Sequence, residues 1–202
     1  MKNSKKWSVF FRKSLARYSA GTFLAGGVIV GMVLWGGGVK VMEVTSSEAF
    51  CTSCHEMEAN AFAEYKTTVH YLNSSGVQVE CADCHVPADT LGKVVRKVEG
   101  LRELYGKVTG KIATPEKYEA HRLAMAEKVW ADMQANDSEN CRSCHVNFER
   151  AIEHQYEWAR ANHEIMLEEN KTCIDCHQGI AHKLPKQNLR TKVLPKPTTP
   201  VL

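Results

Sequence analysis

No aspartate or glutamate occurs before Glu43, while six lysines and arginines stand among the first 17 residues. From Tyr18 to Val39 charge is missing altogether, over 22 residues. As an α-helix that stretch spans about 33 Å, enough to cross a bilayer. The basic cluster ahead of it sets the N-terminus in the cytoplasm. A cleaved signal peptide is the competing reading. It would have a shorter apolar core and a small-x-small cleavage site, and no convincing site of that kind precedes Glu43. Proline is scarce before residue 185: four of the six stand at Pro185, Pro195, Pro197 and Pro200 and mark 185–202 as a flexible tail.

Cysteine, too, has no surplus. All eight fall in four copies of one pattern. These are Cys51-Thr52-Ser53-Cys54-His55, Cys81-Ala82-Asp83-Cys84-His85, Cys141-Arg142-Ser143-Cys144-His145 and Cys173-Ile174-Asp175-Cys176-His177. None is left for a disulfide. Zinc clusters and disulfide frameworks do not require a His after every second Cys, whereas Cys-x-x-Cys-His is the attachment pattern of c-type haem. The two thiols become thioethers to the porphyrin vinyl groups and the His is placed to reach the iron. Four covalently bound haems c are therefore expected. Attachment of such haems takes place outside the cytoplasmic membrane, so residues 43–184 should form a periplasmic domain. The layout is a cytoplasmic basic segment 1–17, a membrane helix 18–42, that domain and the tail 185–202. With about 140 residues around four porphyrins, the macrocycles themselves should be the interior.

The formal charge of +3 hides an asymmetry, because residues 41–202 carry 19 basic and 23 acidic side chains. Haem propionates add further negative charge, which argues against nucleic acid as a partner. In the apolar run Gly27 and Gly31 form a G-x-x-x-G pair, which would let a second copy pack closely in a homo-oligomer; glycine is also simply common in membrane helices. The first haem motif begins 12 residues after Val39, so haem 1 should lie near the membrane face.

The fold should be mainly α with little β structure. Residues 56–70 read as a helix with Phe62, Tyr65 and Val69 at helical spacing. Leu91 to Ile112 repeats apolar residues at 94, 98, 101, 105, 108 and 112, with Lys93, Arg96, Lys97, Arg102, Lys107 and Lys111 on the other faces. Such a basic amphipathic helix suits lipid headgroups, a site beside haem 1, or an ordinary solvated surface. Thr114-Pro115-Glu116 starts a further helix running to about Met133. Phe148 to Glu169 reads as another.

His55, His85, His145 and His177 belong to the motifs. Five histidines lie outside them: His70, His121, His154, His163 and His182. A second imidazole on the far face makes a haem six-coordinate and suited to electron transfer, and about three of the five should serve that way. His182 lies too close behind His177 to round the same porphyrin easily, so it should serve a neighbouring haem. His70 and His163 stand on helices free to reach across, His154 suits a surface position and His121 a supporting one. Met57, two residues after His55, is either core filling or an iron ligand of haem 1; His55 and Met57 are too close in sequence to take opposite faces.

The single N-terminal span, the run Cys51 to Met57, Cys81 to Pro87, Glu119-Ala120-His121-Arg122-Leu123 and Cys173 to Pro185 together resemble the NapC/NirT family of membrane-anchored tetrahaem quinol dehydrogenases. The last three stretches are more similar to the nitrate-reductase-linked members than to the nitrite-linked ones. The resemblance implies that menaquinol or ubiquinol from the membrane pool is oxidised beside haem 1. Met57 would bind that iron, and His70, His163 and His182 would be the distal ligands opposite His85, His145 and His177. Lys97 and Glu103 match the Lys and acid bordering the quinol pocket, and Glu103 would be the proton acceptor unless Lys107 engages it at i+4. Electrons would leave to a periplasmic reductase, nitrate reductase first, with nitrite and trimethylamine N-oxide reductases as alternatives. Some relatives carry a His just after the Val-Pro of the second motif; this chain has Ala88-Asp89, so no ligand comes from there. A small-molecule reductase working at an open haem, and an electron carrier that never meets quinol, are the competing functions.

Overall fold

The computed structural model describes residues 20–186; the basic segment 1–17 and all but the first two residues of the proline-rich tail lie outside them. Every described regular element is helical, as expected of a mainly α chain. Helix α1, Ala20–Val44, has a mean hydropathy of 1.7 and buries none of its side chains within the chain. At 25 residues it spans about 37 Å, long and apolar enough for a bilayer. A second compact unit begins at Ser46.

That unit contains short helices at each haem motif and three longer ones between them. α2 is Glu48–Cys51, α3 Met57–Phe62, α4 Ala63–Tyr65 and α5 Cys81–His85. Then come α6 Thr90–Val108, α7 Pro115–Ala135, α8 Glu139–Cys144, α9 Phe148–Ile152, α10 Glu157–Glu168 and α11 Cys173–Cys176. α2 packs on α5, α5 on α8 and α11 on α7.

The ends of these helices follow from local chemistry. Asp89 caps α6 by accepting from the Gly92 N–H at 2.8 Å, and Thr114 caps α7 ahead of Pro115. A Cβ at Gly92 would stand 2.8 Å from that of Pro87, so only glycine lets α6 start this close to the Val-Pro turn. α6 stops at Val108 rather than Ile112. Gly110, at φ 64°, turns left-handed, and the Lys111 N–H reaches back to the Gly106 carbonyl at 2.9 Å. Asn170 ends α10 in the same way, with Lys171 N–H to Met166 O at 2.9 Å.

Two expected helices are shorter or broken. The stretch 56–70 opens as a wide π-helical turn over Met57–Phe62 and ends at Tyr65, after which Thr67 and Thr68 turn their hydroxyls back onto Glu64 and Tyr65 carbonyls. Phe148–Glu169 is two helices, α9 and α10, with a turn between Glu153 and Tyr156.

Two polar nodes hold the unit together. Arg122 on α7, its side chain 8 % exposed, donates to both Glu64 oxygens at 2.9 and 2.7 Å and to Glu119 at 3.0 and 2.6 Å. Burial pushes the Glu64 carboxyl up, but Arg122 and the Lys183 N–H outweigh it and hold it below the usual carboxylate range. The second node is Ser138, 1 % exposed and left-handed at φ 51°. Its hydroxyl accepts from the Ile174 N–H at 3.2 Å and so ties the third motif to the fourth.

Arg122→Met should cost about 3 kcal/mol, because it leaves a nearly buried carboxylate unpaired. Glu64 binds its proton less readily folded than unfolded, so its contribution is present above the unfolded pKa and disappears as pH falls through the folded one. Denaturant unfolding of wild type and variant at neutral pH and near pH 3 should show the difference shrinking in acid. Ser138→Ala keeps the backbone geometry and removes only the hydroxyl; a loss of about 1–3 kcal/mol in the same assay is expected.

Candidate haem sites and their surroundings

Motifs two, three and four each make one helical turn, with the cysteines three residues apart on one face. Asp83 and Asp175, the second spacer residues, fold back onto the Glu80 and Thr172 N–H groups at 2.7 Å. Motif one differs: its helix stops at Cys51, breaks over residues 52–54 and resumes at His55 ahead of the π-helical turn Met57–Phe62. The four motifs touch in chain order. The helix of motif one packs on that of motif two and motif two on motif three, and Ser138, at the head of motif three, accepts from the Ile174 N–H of motif four. Asn140 of motif three also donates to the Asp83 and Val86 carbonyls of motif two, both at 2.9 Å.

Six of the nine imidazoles form three facing pairs. His85 and His182 have ring centres 6.3 Å apart, His70 and His145 6.3 Å, and His163 and His177 6.0 Å. Two imidazoles bound through nitrogen to opposite sides of one metal, with bonds of about 2 Å, would have ring centres roughly 6 Å apart. Each pair therefore fits a single haem iron between its rings. Burial pushes the His85 imidazole down to about 4, with His182 and Arg96 adding to the effect; burial likewise lowers His70, His177 and His182. These rings are neutral, the form that binds iron. Nδ1 of His182 is buried without a hydrogen-bond partner, a state costing about 1–3 kcal/mol unless a ligand uses the pair.

The partners are far apart in sequence. His182 faces His85 rather than the nearer His177, and His70 faces His145 across two motifs. The turn that interrupts 148–169 has a use here: it brings the side-chain amide oxygen of Gln155, Oε1, to 2.5 Å from Nδ1 of His163, orienting that ring toward His177. Nothing in the sequence signals this contact, since the turn contains neither Gly nor Pro.

Among the described residues His55, His121 and His154 face no second imidazole. His121 holds the Lys117 carbonyl through Nδ1 at 2.9 Å, and His154 is exposed. His55 is exposed, with Nδ1 3.4 Å from Lys107 Nζ and 3.3 Å from Glu56. Met57, two residues later, is also exposed. Glu56 is 3 % exposed, and Lys107 grips both its carboxylate oxygens. That hydrogen bond from Lys107, ahead of the opposing cost of burial, lowers the Glu56 pKa. This pair ties α6 to the first motif and was not legible, because 51 residues separate its members.

Lys97 and Glu103 both act electrostatically on Cys51, together with Arg96. Once the thiols are thioethers they do not titrate, so the influence matters only as a sign of which charges surround motif one. Glu103 is held by Arg96 at 2.7 Å and not by Lys107, which is engaged with Glu56. Arg96 also donates to the His85 carbonyl at 3.2 Å, so one guanidinium joins the proposed acid to motif two.

The sequence profile of the NapC/NirT cytochrome c family, N-terminal region, matches residues 13–187. The chain belongs to this family. It is 50 % identical over 175 residues to the denitrification system component NirT of Stutzerimonas stutzeri, covering 87 % of each chain. It is 48 % identical over 171 residues to the cytochrome c-type protein NapC of Escherichia coli, covering 84 % of this chain and 85 % of that one. A looser structural likeness, TM-score 0.44 at 26 % identity, covers 78 % of this chain and 88 % of a chain in the crystal structure of the cytochrome c nitrite reductase NrfHA complex bound to the HQNO inhibitor. C-type haem is the cofactor of this family, and the eight cysteines, in four Cys-x-x-Cys-His motifs, are consistent with its attachment.

Replacing His182 by Ala should make one further haem five-coordinate and high-spin, reducing the bis-imidazole low-spin haems from three to two. His70→Ala and His163→Ala should do the same at one haem each. Resonance Raman spin-state bands of the purified holo-proteins check this, and Gln155→Ala should perturb the same haem as His163→Ala without releasing its ligand.

Proposed function

We propose that this protein oxidises membrane quinol beside haem 1 and passes the electrons singly through four haems c to a periplasmic reductase. The observation that carries the reading is the order of the motifs: each adjoins the next along the chain, and only the first has no facing imidazole pair. An entry point that differs from three alike relay points is what a quinol-to-carrier junction needs.

Quinol gives up two electrons and two protons. Bound haem supplies one-electron redox chemistry at its iron. The polypeptide binds and orients the quinol and takes the protons. Lys97, whose charge bears on Cys51, hydrogen-bonds a quinone oxygen. Glu103, held as a carboxylate partner by Arg96, accepts a proton through its exposed face. Met57 would hold the iron of haem 1, where a thioether ligand would raise its potential. His85 with His182, His145 with His70 and His177 with His163 hold the other three irons. The domain is periplasmic and the anchor crosses the cytoplasmic membrane once with its N-terminus inside.

The receiving protein is nitrate reductase, on the likeness of Cys81–Pro87, Glu119–Leu123 and Cys173–Pro185 to NapC. A second reading, delivery to a nitrite reductase, is favoured by the equally high identity to NirT, whose name places it in denitrification.

Stopped-flow mixing with a reduced menaquinol analogue should reduce the haems of the intact protein, and Lys97→Ala or Glu103→Ala should slow it by tenfold or more while dithionite still reduces all four. No reduction of the intact protein by quinol contradicts the proposal. Rapid reoxidation of reduced protein by nitrite alone would favour a small-molecule reductase instead.

A further inference from the structure

Helix α6 is built inside out. Successive residues of an α-helix turn by about 100°, which places Leu91, Val94, Val95, Val98, Leu101, Leu104, Tyr105 and Val108 on one side. All eight are exposed, from 41 % at Val94 to 86 % at Val108. The opposite, polar side is the one that faces the domain. From it Arg96 reaches the His85 carbonyl and Glu103, Lys107 reaches Glu56, and Gly92 abuts Pro87. A surface helix of a water-soluble domain has the reverse arrangement.

The apolar stripe runs the length of a 19-residue helix, about 28 Å. That is longer than one macrocycle bound at Cys51 and Cys54 can cover. Lys93 and Lys97 border the stripe on one side and Arg102 on the other, within a domain that is otherwise net acidic. An apolar stripe with cationic margins matches the interface of an anionic bilayer, acyl chains taking the valines and leucines and headgroup phosphates the basic side chains. A water-facing protein docking site would be richer in aromatic anchors, whereas of the eight stripe side chains one, Tyr105, is aromatic and seven are aliphatic. Glu56, the residue Lys107 holds, lies 11 residues beyond Thr45, no more than about 38 Å of chain. The surface of the bilayer that α1 crosses is within that reach.

From the outward apolar face and its basic margins we infer that α6 lies in the outer interface of the membrane as a second lipid contact. The contact fixes the orientation of the domain on the bilayer, which a single anchor helix leaves free to swivel.

The test uses the full-length holo-protein reconstituted in vesicles containing phosphatidylglycerol and a phospholipid that carries a photoactivatable diazirine near the headgroup. After illumination, lipid adducts are mapped by peptide mass spectrometry. Adducts on 91–108 are expected at a level comparable with those on the ends of 20–44. The pair Val98→Ser and Leu101→Ser, and separately Val98→Asp, should lower the adducts on 91–108 at least fivefold. Those on the anchor should stay unchanged, as should the four-haem absorbance. Replacing phosphatidylglycerol by phosphatidylcholine should lower them twofold or more. Adducts confined to 20–44 overturn the inference while leaving the anchor reading intact, as would protein–protein crosslinks from 91–108 in place of lipid adducts. Absence of adducts on 20–44 as well would overturn both.

Discussion

Three pairs of imidazoles standing about 6 Å apart are what the rest of this molecule is arranged to hold. Each pair joins residues from distant parts of the chain, so the helices between the motifs act as struts that set those separations. The buried apolar side chains of the described residues are few: Ala61, Tyr65, Tyr118, Ile152, Met166 and Ile174. A core of that size cannot stabilise a domain of this length by hydrophobic burial alone. Bound porphyrins would complete the interior, and the polypeptide contributes the ion cluster at Arg122, the Ser138 tie and the capped helix ends that keep the rings facing one another.

The same arrangement separates the first motif from the others. Motifs two to four each form a closed helical turn with an imidazole placed across from their own His. Motif one is interrupted, opens into a π-helical turn at Met57 and is held by Glu56 to Lys107 of α6. Widened helical turns of this kind recur at functional sites. The proposed quinol site, the haem motif without a facing imidazole and the helix inferred to meet lipid thus all involve motif one and α6. The remaining motifs carry matched pairs and lead away from it.

Much of this could be read from residue order. The four attachment motifs, the uncharged N-terminal span and the start of α7 at Thr114-Pro115 follow from patterns a few residues long. The α6 periodicity was legible too, although the direction of its apolar face was not, because amphipathicity says which residues share a side and not where the domain sits. The pairings were the hardest part: His70 with His145 and His85 with His182 depend on the tertiary path. Spacing alone excluded His182 from its own motif and went no further. The split between α9 and α10 escaped because its reason is a contact, Gln155 to His163, rather than a helix-breaking residue. Glu103 keeps company with Arg96 rather than Lys107 for a similar reason: Lys107 is drawn to a carboxylate half a hundred residues away.

The most direct test of one distinct entry haem followed by three matched relay haems is near-infrared magnetic circular dichroism of the fully oxidised holo-protein, calibrated to total haem. The account predicts ligand-to-iron charge-transfer intensity for three bis-imidazole haems and a separate signal for a fourth without that ligation. Four bis-imidazole haems, or fewer than three, would contradict it.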